Sequence, residues 1–129
     1  MYVRIKGKRM EAYKKALVQR FLIDYKAATN QSFTLILRKE NRGTLQELGL
    51  TVQDCRNEIL ALSIEDYHKG PEDDKDKAKG GTVWFFGKNI NGREIYIKIK
   101  LIQTENLRHA VCLSFHFAEK SLDYPLRQK

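Results

Sequence analysis

The sequence contains little cysteine and little proline, and it has no long apolar run. Its two cysteines, Cys55 and Cys112, lack CxxC or CxxxH spacing, which argues against a disulfide scaffold or a zinc site and predicts two buried thiols. Two prolines, 42% hydrophobic residues and no visible repeat period argue against a disordered, collagen-like or repeat chain. No segment approaches the roughly 18 apolar residues of a membrane helix, and the N-terminal stretch lacks the apolar core of a signal peptide, so we expect no membrane association and a cytoplasmic location.

Acidic residues are scarce relative to basic ones. The chain has 24 Lys and Arg against 16 Asp and Glu, a formal net charge of +8. The excess is uneven, because residues 1–26 hold eight basic residues and two acidic ones. Such an imbalance suits nucleic acid, an anionic membrane surface or an acidic protein partner. A merely solvated face remains the alternative interpretation of the N-terminal cluster.

The first half of the chain predicts helices. Apolar residues recur at three- and four-residue steps over residues 11–28, which is typical of an amphipathic helix. The segment "SFTLILR" predicts a strand at 33–38. A short helix closes at Gly49, Thr51 is the expected N-cap of the next helix, and Ser63 is expected to begin a brief helical turn.

The second half predicts a meander of antiparallel strands. Asn91-Gly92 is the dipeptide that best supports a tight type I′ hairpin turn. The charged segment 69–81 has no apolar residue larger than alanine and predicts a mobile loop. The strands are expected at 82–90, 93–102 and 110–117. We therefore predict one α+β domain over residues 1–129, with the N-terminal helices packed on one face of a small antiparallel sheet.

Because side chains alternate between the two faces of a strand, the sequence also sorts the sheet into a core face and a solvent face. The core face is expected to carry Ile95, Ile97, Ile99, Leu101, Val111, Leu113, Phe115 and Phe117. The solvent face is expected to carry Tyr96, Lys98, Lys100, Cys112, Ser114 and His116.

If these two strands pair, Tyr96, Lys98, Ser114 and His116 share one surface. Imidazole, phenol and ammonium groups are what cleavage of RNA by its own 2′-hydroxyl requires: a base for the 2′-OH proton, an acid for the departing 5′-oxygen and a cation for the phosphoryl oxygens. No metal is needed for this chemistry. Tyrosine, lysine and histidine are also common on solvated strand faces, so the pattern alone leaves both interpretations open.

Two further patterns are weaker. The acidic run Glu72, Asp73, Asp74 and Asp76 could hold Mg²⁺, but its interleaved lysines favour a solvated charge cluster. Residues 51–68 can be scanned as a helix-turn-helix, although the turn lacks the usual glycine and the second helix is short and acidic.

An ordered set of segments resembles a known family. "LGL", "ILALSIEDYHKG", a polar loop, "TVWFF", "NGREIYIKIK" and "VCLSFHFAEK" are similar in order to the MqsR (motility quorum-sensing regulator) toxins, over roughly residues 45–120. Those toxins are mRNA-cleaving ribonucleases of toxin-antitoxin modules with a RelE-like fold. The resemblance implies Lys69, Tyr96 and His116 as the residues associated with activity. Two positions depart from the family pattern, since Phe85 stands where the family has glutamine and His116 where it has lysine.

The favoured hypothesis is therefore a metal-independent endoribonuclease toxin that uses no cofactor. Lys69, Tyr96 and His116 are the expected catalytic residues, and Lys98, Arg93 and Lys100 are the expected RNA phosphate contacts. Its expected partners are mRNA and a cognate antitoxin protein, with the ribosome as a further candidate. Two alternatives remain: a non-catalytic RNA- or DNA-binding module that uses the same basic face, and a scaffold that binds an acidic partner.

Overall fold

The computed structural model describes residues 2–75 and 80–128, with side chains described from residue 7 onward. The helices are α1 (Tyr2–Thr29), α2 (Lys39–Leu48) and α3 (Val52–Leu60), and a short 3-10 helix spans Ile64–Asp66. The strands are β1 (Phe33–Leu35), β2 (Tyr67–Asp73), β3 (Thr82–Ile90), β4 (Arg93–Gln103) and β5 (Arg108–Phe117). They form one sheet in the order β1-β5-β4-β3-β2. The predicted α+β class is confirmed.

The predicted meander is also confirmed. β3 pairs with β4 and β4 with β5, both antiparallel. Asn91 and Gly92 form the tight turn between β3 and β4, with φ of 53° and 84°. The side-chain oxygen of Asn89 accepts a hydrogen bond from the Gly92 amide at 2.8 Å, which stabilises this turn.

Several features differ from the prediction. β1 ends at Leu35 and not at residue 38, because side chains of α2 bond β5 beyond that point. The sheet is mixed and not purely antiparallel, because β1 pairs with β5 in parallel. Part of the predicted loop 69–81 is strand, since β2 pairs with β3 through Asp73. β2 is an edge strand, and its register with β3 shifts twice. Its sequence therefore lacks the regular apolar alternation by which a strand could have been predicted. Finally, α1 begins at Tyr2, well before the predicted start at residue 11.

The second half of α1 packs on the sheet and helps to form the core. Phe21 stacks on Trp84 of β3 with ring centroids 4.5 Å apart, and Tyr25 is fully buried and donates a hydrogen bond to the Val111 carbonyl at 3.0 Å. The first half of the helix, over residues 7–17, is almost entirely exposed. Cys55 and Cys112 are both buried and unbridged, as the sequence predicted. Among the described residues, no helix is long and apolar enough to cross a membrane.

A β-bulge corrects the predicted faces of β5. Lys98 pairs with Ser114 whereas the next residue, Ile99, pairs with Cys112, so β5 carries one extra residue at this point. The extra residue reverses the alternation on its N-terminal side. Cys112 therefore lies in the core with Phe115, and the prediction that it faces solvent is wrong. Val111 and Leu113 lie outside the core cluster to which they were assigned, although Val111 is buried.

Two side chains of α2 take the place of a neighbouring strand along the second half of β5. The fully buried Asn41 donates to the carbonyls of Ile36 (2.7 Å) and Leu113 (3.0 Å) and accepts from the Phe115 amide (2.9 Å). Thr44 Oγ1 accepts from the Phe117 amide at 3.3 Å. Because β1 ends opposite Cys112, these bonds satisfy backbone groups that would otherwise be buried without partners.

We expect Asn41→Ala to lower the free energy of unfolding by at least about 2 kcal/mol, because it leaves several buried backbone groups unpaired. Urea unfolding followed by circular dichroism measures this loss. Gln53→Ala, which removes an exposed amide on α3, is the matched control and should change the free energy by about 0.5 kcal/mol or less. Equal effects of the two substitutions would contradict the role given to Asn41.

Candidate active site

The sheet face opposite the helices brings together most of the predicted site. The strand register places Tyr96 beside His116 and Lys98 beside Ser114. On the other side of β4, Lys98 pairs with Phe85, which in turn pairs with Lys69 of β2. We call the surface formed by Lys69, Phe85, Tyr96, Lys98 and His116 the outer site.

Tyr96 and His116 stack directly on each other. Their ring centroids are 5.2 Å apart and the rings are inclined by 29°. His116 Nδ1 lies 3.1 Å from the Phe117 carbonyl oxygen, which can only accept, so Nδ1 carries the hydrogen of that bond. Nε2 of the half-buried ring is thus the nitrogen left to exchange a proton with a bound molecule.

The two lysines lie around the ring of Phe85. Lys69 Nζ is 4.6 Å and Lys98 Nζ 5.9 Å from its centroid. Lys69 also forms an ion pair with Glu72 at 3.4 Å. These four residues, with Asp73, Lys75, Val83 and Tyr96, line a cavity of about 210 Å³. The lining carries three lysines against two acidic residues, together with aromatic rings, and this excess of positive charge suits an anion that also presents a flat apolar group, as a nucleotide does.

Tyr96 remains a protonated phenol at neutral pH. Burial is the main cause that raises its pKa above the usual value, and the negative charge of Glu72 raises it further. The protonated O–H is a hydrogen-bond donor, which a phosphate oxygen can accept. Tyr96 can therefore orient an anion without acting as a base.

The C-terminal tail forms a wall beside Tyr96 and His116. Glu94 of β4 accepts hydrogen bonds from the Leu122 amide (3.0 Å) and the Tyr124 hydroxyl (2.7 Å), which holds the tail against the sheet. Gly87 permits this approach, because a Cβ at that position would collide with both Leu122 and Tyr124. A second cavity, of about 310 Å³, is lined by Tyr96, His116, Glu119, Lys120 and Leu122.

Sequence reasoning did not identify Glu72, Phe85 or the tail as parts of this site. Glu72 lay in the segment interpreted as a loop, and Phe85 was noted only as a departure from a family pattern. The one sequence feature that could have pointed to the tail was Glu94, a carboxylate on the solvent face of β4 that can accept hydrogen bonds from another segment. Tyr124 and its hydroxyl, 30 residues away, could not be linked to it without coordinates.

Two predicted phosphate contacts are not part of the outer site. Lys100 lies on the same face, but it is only 6% exposed, bonded to Asp74 at 2.7 Å and to the Gly80 carbonyl. Its predicted solvent exposure is wrong, because Asp74, Gly80 and Gly81 lie against its side chain. Arg93 lies over the Phe117 ring at 3.4 Å and pairs with Glu47 of α2, so it belongs to the helix side of the sheet.

The described residues contain no group of three or more His, Cys, Asp or Glu side chains arranged to hold a metal ion. Asp76, the last member of the acidic run considered as a Mg²⁺ site, lies outside the described residues.

Comparison with protein families gives one match. The model of the family described as "Motility quorum-sensing regulator, toxin of MqsA" matches residues 20–117. The matched segment includes β2 to β5 and all five residues of the outer site. Searches of the curated proteins and of the solved structures found no match.

We expect Glu72→Gln to lower the pKa of Tyr96, because the substitution removes a negative charge that disfavours the phenolate. The pKa should stay above its usual value, since burial is the larger cause. The pKa of Tyr67, which Glu72 also raises, should fall in parallel. NMR titration of ¹³C-labelled tyrosine rings measures both. Glu11→Gln on exposed α1 is the control, and a Tyr96 pKa that is the same in both variants would contradict the assignment.

Proposed function

Since this chain belongs to the family of motility quorum-sensing regulator toxins and is a toxin of a toxin-antitoxin module with an antitoxin partner, we propose that it acts as a metal-independent endoribonuclease that cleaves mRNA. The observation that carries this proposal is the stacked Tyr96–His116 pair beside two lysines on one accessible sheet face. Because the proposed substrate is mRNA, we also propose a cytoplasmic location. If the activity requires the ribosome, the protein should cleave mRNA that is being translated and leave free mRNA intact.

In the proposed reaction the 2′-oxygen of a ribose attacks the adjacent phosphorus, and the bond from phosphorus to the 5′-oxygen breaks. The products are a 2′,3′-cyclic phosphate and a free 5′-hydroxyl. A base removes the 2′-OH proton and an acid protonates the leaving 5′-oxygen. His116 performs one of these two transfers through Nε2.

Three other residues of the outer site act on the phosphate. The Tyr96 hydroxyl donates a hydrogen bond to a phosphoryl oxygen and fixes its orientation. Lys69 and Lys98 offset the negative charge that grows on the phosphoryl oxygens in the transition state. RNA supplies its own nucleophile, and water in the open site accepts or donates the proton of the transfer that His116 does not perform.

The second candidate is a non-catalytic RNA- or DNA-binding module, which the net charge of +8 also supports. Both candidates retard RNA in a gel, but only the ribonuclease converts it to shorter products in the presence of EDTA. A scaffold for an acidic protein would show no RNA affinity. Incubation of the pure protein with a defined mRNA in EDTA therefore distinguishes the three.

We expect His116→Gln to lower the single-turnover cleavage rate by at least about a hundredfold while RNA affinity stays within a few fold. Proton transfer by a positioned side chain contributes about 10² to 10⁴ in rate, whereas one exposed ionic contact contributes little. His109→Gln is the matched control, because His109 lies near the start of the same strand and contacts Ser32. If affinity and rate fall in equal proportion in His116→Gln, the residue binds phosphate and transfers no proton.

We expect Lys98→Ala to weaken RNA binding and to flatten its salt dependence. Each phosphate contact with a single strand contributes about −0.7 to the slope of log K against log salt, so the slope should change by about that amount. Fluorescence anisotropy at several salt concentrations gives the slope. Lys39→Ala, at an exposed position at the start of α2, removes the same charge away from the outer site and should leave the slope unchanged. Equal slopes for wild type and Lys98→Ala would remove Lys98 from the contacts.

A further inference from the structure

Phe85 is a large aromatic residue on the sheet face that the helices do not cover, yet it is only 5% exposed. Its neighbours on the sheet explain this burial. The Lys69 ammonium lies 4.6 Å from the ring centroid, the Lys98 ammonium 5.9 Å, and the Tyr96 ring centroid also 5.9 Å. The side chains that cover the ring are thus those proposed to contact RNA.

The geometry brings two like charges to one ring. The face of an aromatic ring is electronegative and attracts cations, most strongly where water is excluded. Lysine side chains are otherwise long and flexible, and fixing them for a ligand costs conformational entropy. A ring that both ammonium groups share therefore reduces that cost before any ligand arrives.

The charge of this pair is only partly balanced. Glu72 pairs with Lys69, whereas Lys98 forms no ion pair with any described residue. The excess positive charge lies in the cavity that both lysines and Tyr96 line. A phosphate group in that cavity would replace or join the Glu72 carboxylate as the counterion of the two ammonium groups.

We propose that Phe85 is a positioning residue that holds Lys69 and Lys98 around one ring as a preformed pair of cations for an RNA phosphate. The inference rests on the proposed function, since it assigns the pair to RNA. Phe85 is only 5% exposed, and its assigned role is exerted through the two lysines. A simple space-filling role predicts instead that only the size of residue 85 matters.

The electronic and the steric role of Phe85 can be distinguished by a substitution that changes the charge distribution of the ring but keeps its shape. Pentafluorophenylalanine at position 85 provides this change, because fluorination reverses the electrostatic character of the ring face. The probe is a single-stranded 2′-O-methyl RNA, which cannot be cleaved by 2′-hydroxyl attack. We expect about three- to thirtyfold weaker binding, the range that corresponds to one or two cation–π contacts.

Three further variants test the cause. Phe85→Leu should weaken RNA binding by a similar factor. Phe85→Tyr, which keeps an electron-rich ring, should retain most of the wild-type affinity. In the Lys69→Met/Lys98→Met background the fluorinated ring should have no further effect, because the residues through which it acts are absent. In wild type the ε-methylene protons of Lys69 should show an upfield ring-current shift in NMR that Phe85→Leu abolishes.

Thermal unfolding checks that each variant is folded. If Phe85→Leu does not fold, the fluorinated protein still tests the proposal. Wild type that fails to bind the RNA at low salt overturns the proposed function and this inference together. Wild type that binds while the fluorinated variant binds equally or more tightly overturns this inference alone. A fluorine effect that persists without the two lysines also overturns it.

Discussion

The arrangement of this protein depends on how the backbone of β5 is satisfied where its parallel neighbour ends. β1 covers β5 only as far as Cys112. Beyond that point, burying the polar backbone groups of β5 without partners would lower the free energy of unfolding by several kcal/mol. Asn41 and Thr44 of α2 supply those hydrogen bonds from side chains. Because the amide of Asn41 both donates and accepts, it can hold a strand that carries an extra residue. The β-bulge that follows directs Cys112 and Phe115 inward and leaves His116 on the opposite face.

The outer site combines one buried ring and two half-buried rings with positive charge, because rings and cations alternate across it. Phe85 and His116 lie on either side of Tyr96, and the lysine ammonium groups lie over the ring of Phe85. The Lys69 side chain remains 49% exposed, so its charge is accessible to a ligand. Burial keeps Tyr96 protonated, and the nearby Glu72 reinforces this. The site is thus suited to attract an anion and to donate a hydrogen bond to it.

The sequence predicted the parts of the fold that local alternation controls. The isoleucines of β4 and the Asn91-Gly92 turn determined the hairpin, and the common face of Tyr96 and His116 followed from the same alternation, whereas their direct pairing is known only from the structure. Lys69 came only from the family resemblance, because an edge strand of polar residues has no apolar period. The bulge in β5 and the burial of Lys100 depend on contacts with Asn41 and Asp74, which are 72 and 26 residues distant along the chain. Such long-range contacts leave no local pattern to detect.

The absence of a side chain at Gly87 has a consequence for sequence variation in this protein. Any larger residue there would displace the tail, because Leu122 and Tyr124 occupy the space of its Cβ. The requirement for glycine at position 87 therefore arises from the contact between β3 and the C-terminal tail, and not from β3 alone. A related chain with a shorter tail, or without the bond from Tyr124 to Glu94, could accept a side chain at this position. Position 87 and the tail should accordingly covary, so that an alanine or serine at 87 in a homologue marks one whose tail lies elsewhere.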